Sequence, residues 1–200
     1  MTGGNAGVFE PYFRLERRLA EFTGAPQAVV VDCCTHALEL CLRAERPKRV
    51  IIPRHTYISV LMTLHKLGIK VGFSDEQWVG EYQLGGTRIW DSARRLEPGM
   101  YQAGALQCLS FGWDKPLAVG RGGAILLDDP QLADRLRRQR YDGRDLVTTP
   151  WHQQVSWEVG YHYRPTIEEC LAIEVKFESY IPVPPVGREY PDLEAIKVRL

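Results

Sequence analysis

A lysine on a glycine-rich loop is the residue in this sequence best suited to covalent chemistry. The stretch Leu109–Leu127 reads LSFGWDKPLAVGRGGAILL and predicts a strand end, a loop with Ser110 and Lys115, a glycine turn and a second strand. An amine held between two buried strands loses solvation, so its pKa falls and it becomes a nucleophile toward carbonyl groups. The obvious use of such a lysine is a Schiff base with pyridoxal phosphate (PLP).

That chemistry requires an anion site for the phosphate, a carboxylate for the pyridine nitrogen and a flat side chain against the ring. The segment DCCTHALEL is a candidate anion site, because a buried strand leads directly into a helix that begins near Cys34 or Thr35. Free backbone N–H groups and the helix dipole at such a junction favour anions, and Thr35 adds a hydroxyl. The alternative is that Asp32 or Thr35 merely caps the helix.

Two residues at predicted strand ends are candidates for the other requirements. The strand TRIWD ends on Asp91, and open α/β sheets bind ligands outside the carboxyl ends of their strands. Asp91 could stay ionised against a protonated pyridine nitrogen, or it could be a surface turn residue. Tyr57 follows the strand RVIIP and could lie flat on a cofactor ring, or it could pack in the core.

The elements that position these residues alternate between strands and helices over the first half of the chain. The apolar runs AVVV, RVIIP and IKVGF are typical of buried parallel strands, and helical stripes separate them. The predicted fold class is α/β, with a mostly parallel sheet flanked by helices. Residues 1–180 are predicted to form one α/β domain, followed by an extended, proline-rich tail and a short final helix over residues 181–200.

Composition excludes several other classes of protein. The 200 residues carry 25 acidic and 25 basic side chains, so no long-range attraction to nucleic acid or to an anionic membrane is expected. The chain has no apolar run of membrane-spanning length. Its five cysteines lack C-x-x-C spacing, which argues against a disulfide framework or a metal site and favours a reducing, cytoplasmic location.

Several segments, taken in chain order, resemble the DegT/StrS family of sugar-nucleotide aminotransferases, which are PLP enzymes of fold type I. DCCTHALEL stands at the family's S-G-T-x-A-L phosphate loop, and IWDSA takes the place of iEDaA. LSFGWDKPLAVGRGGAILLDD is close to fSF...K.l..GeGGai.t.d, and GYHYRPTIEECLA resembles G.NyRm.eiqAA. The resemblance covers most of residues 8–177. It implies the large domain of fold type I, with the C-terminal small domain largely absent.

The resemblance also combines the separate candidates into one cofactor site. It implies that Lys115 is the Schiff-base lysine, whose freed amine then moves the proton of the reaction. It implies that Asp91 keeps the pyridine nitrogen protonated. The further cofactor contacts that it implies are Tyr57 against the ring and Cys34, Thr35 and Ser110 at the phosphate.

Some positions depart from the family pattern. Cys33 and Cys34 replace a serine and a glycine in the phosphate loop, which removes a hydroxyl and adds a Cβ near the phosphate. Arg94 replaces a glutamine or histidine, and its charge could disfavour protonation of the ring nitrogen or bind an anionic substrate. His162 replaces an asparagine in a segment that reaches the neighbouring subunit's site in family dimers, and it is a further predicted cofactor contact. Between residues 75 and 87 this chain also has fewer residues than the members of the family have.

The function expected from this resemblance is transfer of an amino group, from glutamate, to a keto sugar of a nucleotide-sugar. The expected partners are these two substrates and a second copy of the chain, in a homodimer with shared active sites. The alternative is a truncated, non-catalytic homologue that acts as an interaction or regulatory partner. A PLP-dependent dehydratase is disfavoured, because such relatives lack a lysine at the position of Lys115.

Overall fold

The computed structural model describes residues 6–146 and 150–198, and these residues form five α-helices and seven β-strands. None of the described helices combines the length and apolar character needed to cross a membrane. The helices are α1 (Ala6–Thr23), α2 (Cys34–Glu45), α3 (Ile58–Lys66), α4 (Pro130–Gln139) and α5 (Ile167–Glu178). The strands are β1 (Gln27–Val31), β2 (Arg49–Pro53), β3 (Lys70–Ser74), β4 (Tyr82–Gln83), β5 (Ile89–Asp91), β6 (Leu106–Ser110) and β7 (Gly123–Leu127).

The strands form a five-stranded sheet in the order β1-β7-β6-β5-β4 and a separate parallel pair, β2-β3. The α/β class with flanking helices is therefore confirmed. The expectation of a mostly parallel sheet is wrong, because only β5 and β6 are parallel in the larger sheet and its other three pairings are antiparallel. The physical reason is that β7 returns from the lysine loop directly alongside β6 and lies between β6 and β1.

A short segment joins the two sheets. Residues 74–86 show no clear element in the sequence, yet they contain β4, which pairs with β5, and Gly85, which forms an antiparallel bridge with Ile51 of β2. The amide groups of Gly85 and Ile51 donate to each other's carbonyl groups at 2.8 and 3.1 Å. A two-residue strand is too short to show the alternating pattern by which strands are recognised in a sequence.

The strand β1 shows how helices come to cover both faces of the larger sheet. Its residues Val29 and Val31 are buried in the core beneath α2 and α3, whereas Ala28 and Val30 are buried in the core beneath α1 and α5. Successive side chains of a strand point to opposite faces, so a strand covered on both sides must be apolar throughout. This is why β1 reads as an uninterrupted apolar run.

Beyond α5 the chain folds back onto the domain. Leu193 is buried, and its N–H donates to the carbonyl of Arg54 at 2.8 Å. The ring of Tyr190 stacks on Trp78 with 5.7 Å between centroids. The predicted final helix is reduced to one 3-10 turn at Leu193–Ala195, and its last residues, 199–200, lie outside the described part of the chain. The domain boundary at residue 180 stays a prediction.

A buried ion pair joins α1, α4 and β1. Arg140 is only 1% exposed, and its guanidinium donates at 2.5 Å both to Glu16 Oε1 and to the carbonyl of Val30. The carboxylate of Glu16 is 3% exposed and also accepts from Arg137 at 2.8 Å. A buried charge is tolerated only while it is paired, so these contacts make the position of α4 depend on that of α1.

We predict that Glu16→Ala lowers the free energy of unfolding by about 3–5 kcal/mol, because the variant leaves Arg140 charged and buried without its carboxylate. Chemical denaturation at neutral pH measures this change. The matched control is Glu10→Ala, which removes the exposed partner of Arg17 and should cost about 1 kcal/mol or less. Equal, small losses in both variants would contradict the role given to the buried pair.

Candidate active site

The lysine loop meets the amino end of α2 where two glycines touch the backbone of residues 33 and 34. Gly122 has φ +111, a conformation that favours glycine, and its N–H donates to the carbonyl of Asp32 at 2.9 Å. A Cβ on Gly123 would lie 2.6 Å from the backbone of both Cys33 and Cys34. Only glycine permits this approach, so the turn holds the lysine loop against the start of α2.

A cavity of about 630 Å³ opens beside this junction. It lies at the carboxyl ends of β5 and β6 and at the amino ends of α2 and α3, as expected for a ligand site in an α/β protein. The structure brings six of the seven predicted site residues to its wall: Cys34, Thr35, Tyr57, Asp91, Ser110 and Lys115.

The side chain of Lys115 is mostly buried, with 13% of its surface exposed. Burial lowers the pKa of its amine, and the positive charge of Arg94 lowers it further, whereas the charge of Asp91 opposes the shift without cancelling it. The amine lies 5.9 Å from the centre of the Tyr57 ring, which is half-exposed. Lys115 therefore has the lowered pKa that its sequence context predicts, and it faces an aromatic ring across the cavity.

Asp91 is buried at the base of the cavity. Burial raises the pKa of its carboxyl group, and three stabilising contacts with the ionised form only partly offset this effect. They are the N–H of Ala93 at 3.0 Å from Oδ1, the charge of Lys115, and the hydroxyl of Tyr82, which donates to Oδ2 at 3.2 Å. The alternative of a surface turn residue is excluded by this burial.

Tyr82 is a functional candidate that sequence reasoning missed. Its side chain is 1% exposed, and its hydroxyl accepts from Thr56 Oγ1 at 2.8 Å while donating to Asp91. This chain of hydrogen bonds fixes the orientation of the Asp91 carboxylate. Tyr82 lies on β4, inside the segment without a clear sequence pattern, so the only available signal was a lone aromatic residue near the predicted strand of Asp91.

The amino ends of α2 and α3 meet at two hydroxyl groups. Thr35 Oγ1 lies 2.8 Å from Ser59 Oγ, and each residue belongs to the first turn of its helix. The alternative of a capping role is wrong for Thr35 and Asp32, because the N-cap residue of α2 is Cys33 and no side chain makes a capping hydrogen bond there. Ser59 was also missed, although it lies two residues after Tyr57 at a second strand-to-helix junction.

The buried side chain of Cys34 forms part of the cavity floor. Its Sγ lies 3.6 Å from the carbonyl of Cys108 and 4.0 Å from Asp91 Oδ1. Burial raises the pKa of its thiol well above the usual range, and the neighbouring charge of Asp91 raises it further. The thiol therefore stays neutral at physiological pH and adds no negative charge beside the carboxylate.

A second charged cluster lies at the start of α2. His36 Nδ1 lies 2.6 Å from Asp32 Oδ1, and the guanidinium of Arg121 donates to Oδ2 at 2.9 Å. Burial lowers the pKa of His36, but its contacts with Asp32 and Cys33 outweigh that effect and raise it to about 9. Asp32, Cys33 and His36 bring three metal-ligating atoms within 4.8 Å, yet the protonated ring and Arg121 favour an ion-pair network instead. The prediction of no metal stays a prediction.

His162 is not part of the cavity in its own chain. Its side chain is 69% exposed, and Nδ1 lies 3.2 Å from the carboxylate of Asp142. The residue does not line the cavity with the other six, so its contact with a cofactor in a neighbouring subunit stays a prediction.

Solved structures of aminotransferases share this fold. DesV of S. venezuelae, solved in complex with a ketimine intermediate, is 20% identical, with a TM-score of 0.65, and the match covers 87% of this chain and 60% of that one. A DegT DnrJ EryC1 StrS aminotransferase from Brucella abortus is 18% identical, with a TM-score of 0.68 and coverage of 84% and 58%. AtS13 from Actinomadura melliaura is 19% identical, with a TM-score of 0.70 and coverage of 88% and 64%. No curated protein matches the sequence.

These likenesses define the class of fold as that of the PLP-dependent aminotransferases of fold type I. The sequence model of the DegT/DnrJ/EryC1/StrS aminotransferase family matches residues 9–79 and 99–176, so the chain belongs to that family. The family's aminotransferases depend on PLP. The chain spans about 60% of the length of the first structures that it matches.

We predict that the hydrogen bond between Tyr82 and Asp91 contributes about 1–3 kcal/mol to stability, because the acceptor is a buried carboxylate. A double-mutant cycle of Tyr82→Phe and Asp91→Asn, followed by chemical denaturation, measures this coupling. Tyr101→Phe is the matched control, since its hydroxyl donates to a backbone carbonyl elsewhere and should show no coupling to Asp91. Additive effects of Tyr82→Phe and Asp91→Asn would contradict the assignment.

We also predict a pH-dependent contribution from His36. Its pKa is about 9 in the folded protein and 6.5 as the reference for the unfolded chain, so folding favours the protonated ring. The stabilisation is complete below pH 6.5 and is lost as the pH rises through about 9. The difference in unfolding free energy between the wild type and His36→Gln, measured from pH 6 to 10, should shrink over that window. A difference that does not vary with pH would refute the Asp32–His36 pair.

Proposed function

We propose that this chain is a PLP-dependent aminotransferase that moves an amino group from an amino acid, glutamate, to a keto sugar carried by a nucleotide. The observation that carries the proposal is the meeting of Lys115, Asp91 and two hydroxyl-lined helix ends in one cavity. Membership of the aminotransferase family supports the reaction class. The nucleotide-sugar and the glutamate donor rest on the family resemblance.

The cavity suits PLP in size and charge. Its volume of about 630 Å³ lies within the usual range for small-molecule sites, roughly 300–1,000 Å³. Asp91 is a buried carboxylate for which no salt bridge appears among the described residues, so a protonated ring nitrogen would supply the cation that it lacks.

When bound, PLP supplies an electron sink for the carbanion chemistry of amino-group transfer. Asp91 would hold the ring nitrogen, and Tyr82 would keep its carboxylate in place. Ser110 and Thr35, with the amino end of α2, would hold the phosphate, because free N–H groups and hydroxyls are suitable donors for an anion. Tyr57 would lie against the ring.

Lys115 would both attach the cofactor and carry the proton between carbon atoms. A general base must be partly neutral at the working pH, and burial shifts the pKa of this amine in that direction. The neighbouring positive charge of Arg94 helps, because two cations in a poorly hydrated cavity disfavour each other. The neutral thiol of Cys34, which also lines the cavity, adds no charge to the site.

The proposed assembly is a homodimer with shared active sites, in a cytoplasmic location. Exposure of His162 supports a role outside its own cavity, at the site of the second subunit. In such a dimer, His162 would contact the cofactor of the second subunit, although it does not line the cavity of its own chain.

The test is a titration of the purified protein with PLP, followed by absorption spectroscopy. We expect a visible band that borohydride traps in the wild type and in Lys70→Ala, an exposed control lysine, and that Lys115→Ala abolishes. L-glutamate should then discharge the band and yield 2-oxoglutarate. Equally weak PLP binding by the wild type, Lys70→Ala and Lys115→Ala would favour the non-catalytic alternative. If PLP gives the band but glutamate does not change it, the protein binds the cofactor without catalysing the amino transfer.

A further inference from the structure

The carboxylate of Asp114 lies between two arginine side chains at the mouth of the cavity. Arg94 donates to Asp114 Oδ2 at 3.1 Å, and Arg188, from the tail that folds back over the domain, contacts the same oxygen. Lys115 Nζ lies 3.8 Å from Oδ1. One exposed carboxylate thus contacts three cationic side chains that line the cavity.

Arg94 has unused hydrogen-bonding capacity in this arrangement. Its side chain is only 12% exposed, and its Nε is buried without an acceptor among the described residues. A guanidinium is built to bind an oxyanion through two N–H groups, but Asp114 reaches Arg94 with a single oxygen. Asp114 itself is 48% exposed and can rotate into solvent at little cost.

The second arginine is held in place by its neighbours on the tail. Tyr190 stacks on Trp78, and its carbonyl lies 3.1 Å from Nδ1 of His55. Leu193 is buried 3 residues further on. Arg188 is therefore presented to the cavity by an anchored segment, although residues 181–188 have no regular secondary structure.

We propose that Arg94 and Arg188 bind the α-carboxylate of the amino-acid substrate and that Asp114 occupies this site until the substrate displaces it. This inference rests on the proposed function. The nitrogen and the carboxylate oxygens of an α-amino acid are separated by two carbon atoms, roughly 3 Å. The 3.8 Å between Lys115 Nζ and Asp114 Oδ1 is within about 1 Å of that spacing.

The phosphates of a nucleotide-sugar fit this position less well. Ring atoms separate them from the sugar carbon that would react, by roughly 5 Å or more. The carboxylate of Glu189, which also lines the cavity mouth, would further disfavour a group with two negative charges. The observations therefore favour a carboxylate over a diphosphate.

The test measures ligand binding through tryptophan fluorescence, since Trp78 and Trp113 line the cavity. L-glutamate is compared with 4-aminobutyrate, which keeps the amine and one carboxylate but lacks the α-carboxylate. The variants are Arg94→Gln, Arg188→Gln and Asp114→Asn, with Arg17→Gln as an exposed arginine control outside the cavity. Each protein is titrated with and without PLP, and the visible band is recorded first.

We expect both cavity arginine variants to raise the Kd for L-glutamate at least tenfold and to leave the Kd for 4-aminobutyrate unchanged. Asp114→Asn should lower the Kd for L-glutamate several-fold, because it removes the internal competitor. If the ion cluster only stabilised the fold, the arginine variants and Asp114→Asn would not change the Kd for L-glutamate in opposite directions. The control should bind both ligands like the wild type.

Three outcomes would overturn the inference. They are unchanged glutamate binding in the arginine variants, weaker binding in Asp114→Asn, and loss of inorganic pyrophosphate binding in the arginine variants while glutamate binding persists. The last result would indicate that Arg94 and Arg188 bind the phosphates of the nucleotide. A wild-type protein without the visible band would refute the proposed function instead, and the titrations without PLP would still report on the arginine pair.

Discussion

The site depends on the close approach between the Gly122–Gly123 turn and the backbone of Cys33 and Cys34. Gly123 pairs with Val31 of β1 on one side and with Ser110 of β6 on the other. These two pairings place the start of α2 and the end of β6 at the same level of the sheet. Any side chain on Gly123 would collide with the start of α2 at 2.6 Å and separate the two halves of the proposed phosphate site.

Above that junction, burial moves the two key ionisable groups toward neutrality. The pKa of Lys115 is lowered and that of Asp91 is raised, in each case chiefly by loss of water. Hydrogen bonds from Tyr82 and Ala93 limit the shift at Asp91. The result is an amine that loses its proton more readily than an exposed lysine, near a carboxylate with a fixed orientation, and both properties are useful for chemistry on a carbonyl cofactor.

Residues that lie in long, regular elements could be predicted from the sequence. Asp91 ends an apolar strand, Lys115 lies on the loop after another, and α2 directly follows β1, so their positions at one edge of a sheet could be predicted. Tyr82 could not, because its two-residue strand carries no pattern and its role depends on a contact across the sheet. The tail of Arg188 could not either, because an extended segment without periodicity does not indicate which surface it will cover. The strand β7 is antiparallel to both of its neighbours, β1 and β6. The β-propensity of its residues does not determine which strands it pairs with or in which direction.

The central claim is that this fold directs PLP to one lysine among several. The most direct measurement is peptide mapping by mass spectrometry after the protein has been treated with one equivalent of PLP and reduced with borohydride. We expect a phosphopyridoxyl group on the peptide that contains Lys115 and on no other. A label spread over exposed lysines such as Lys70 and Lys176, with Lys115 unmodified, would contradict it.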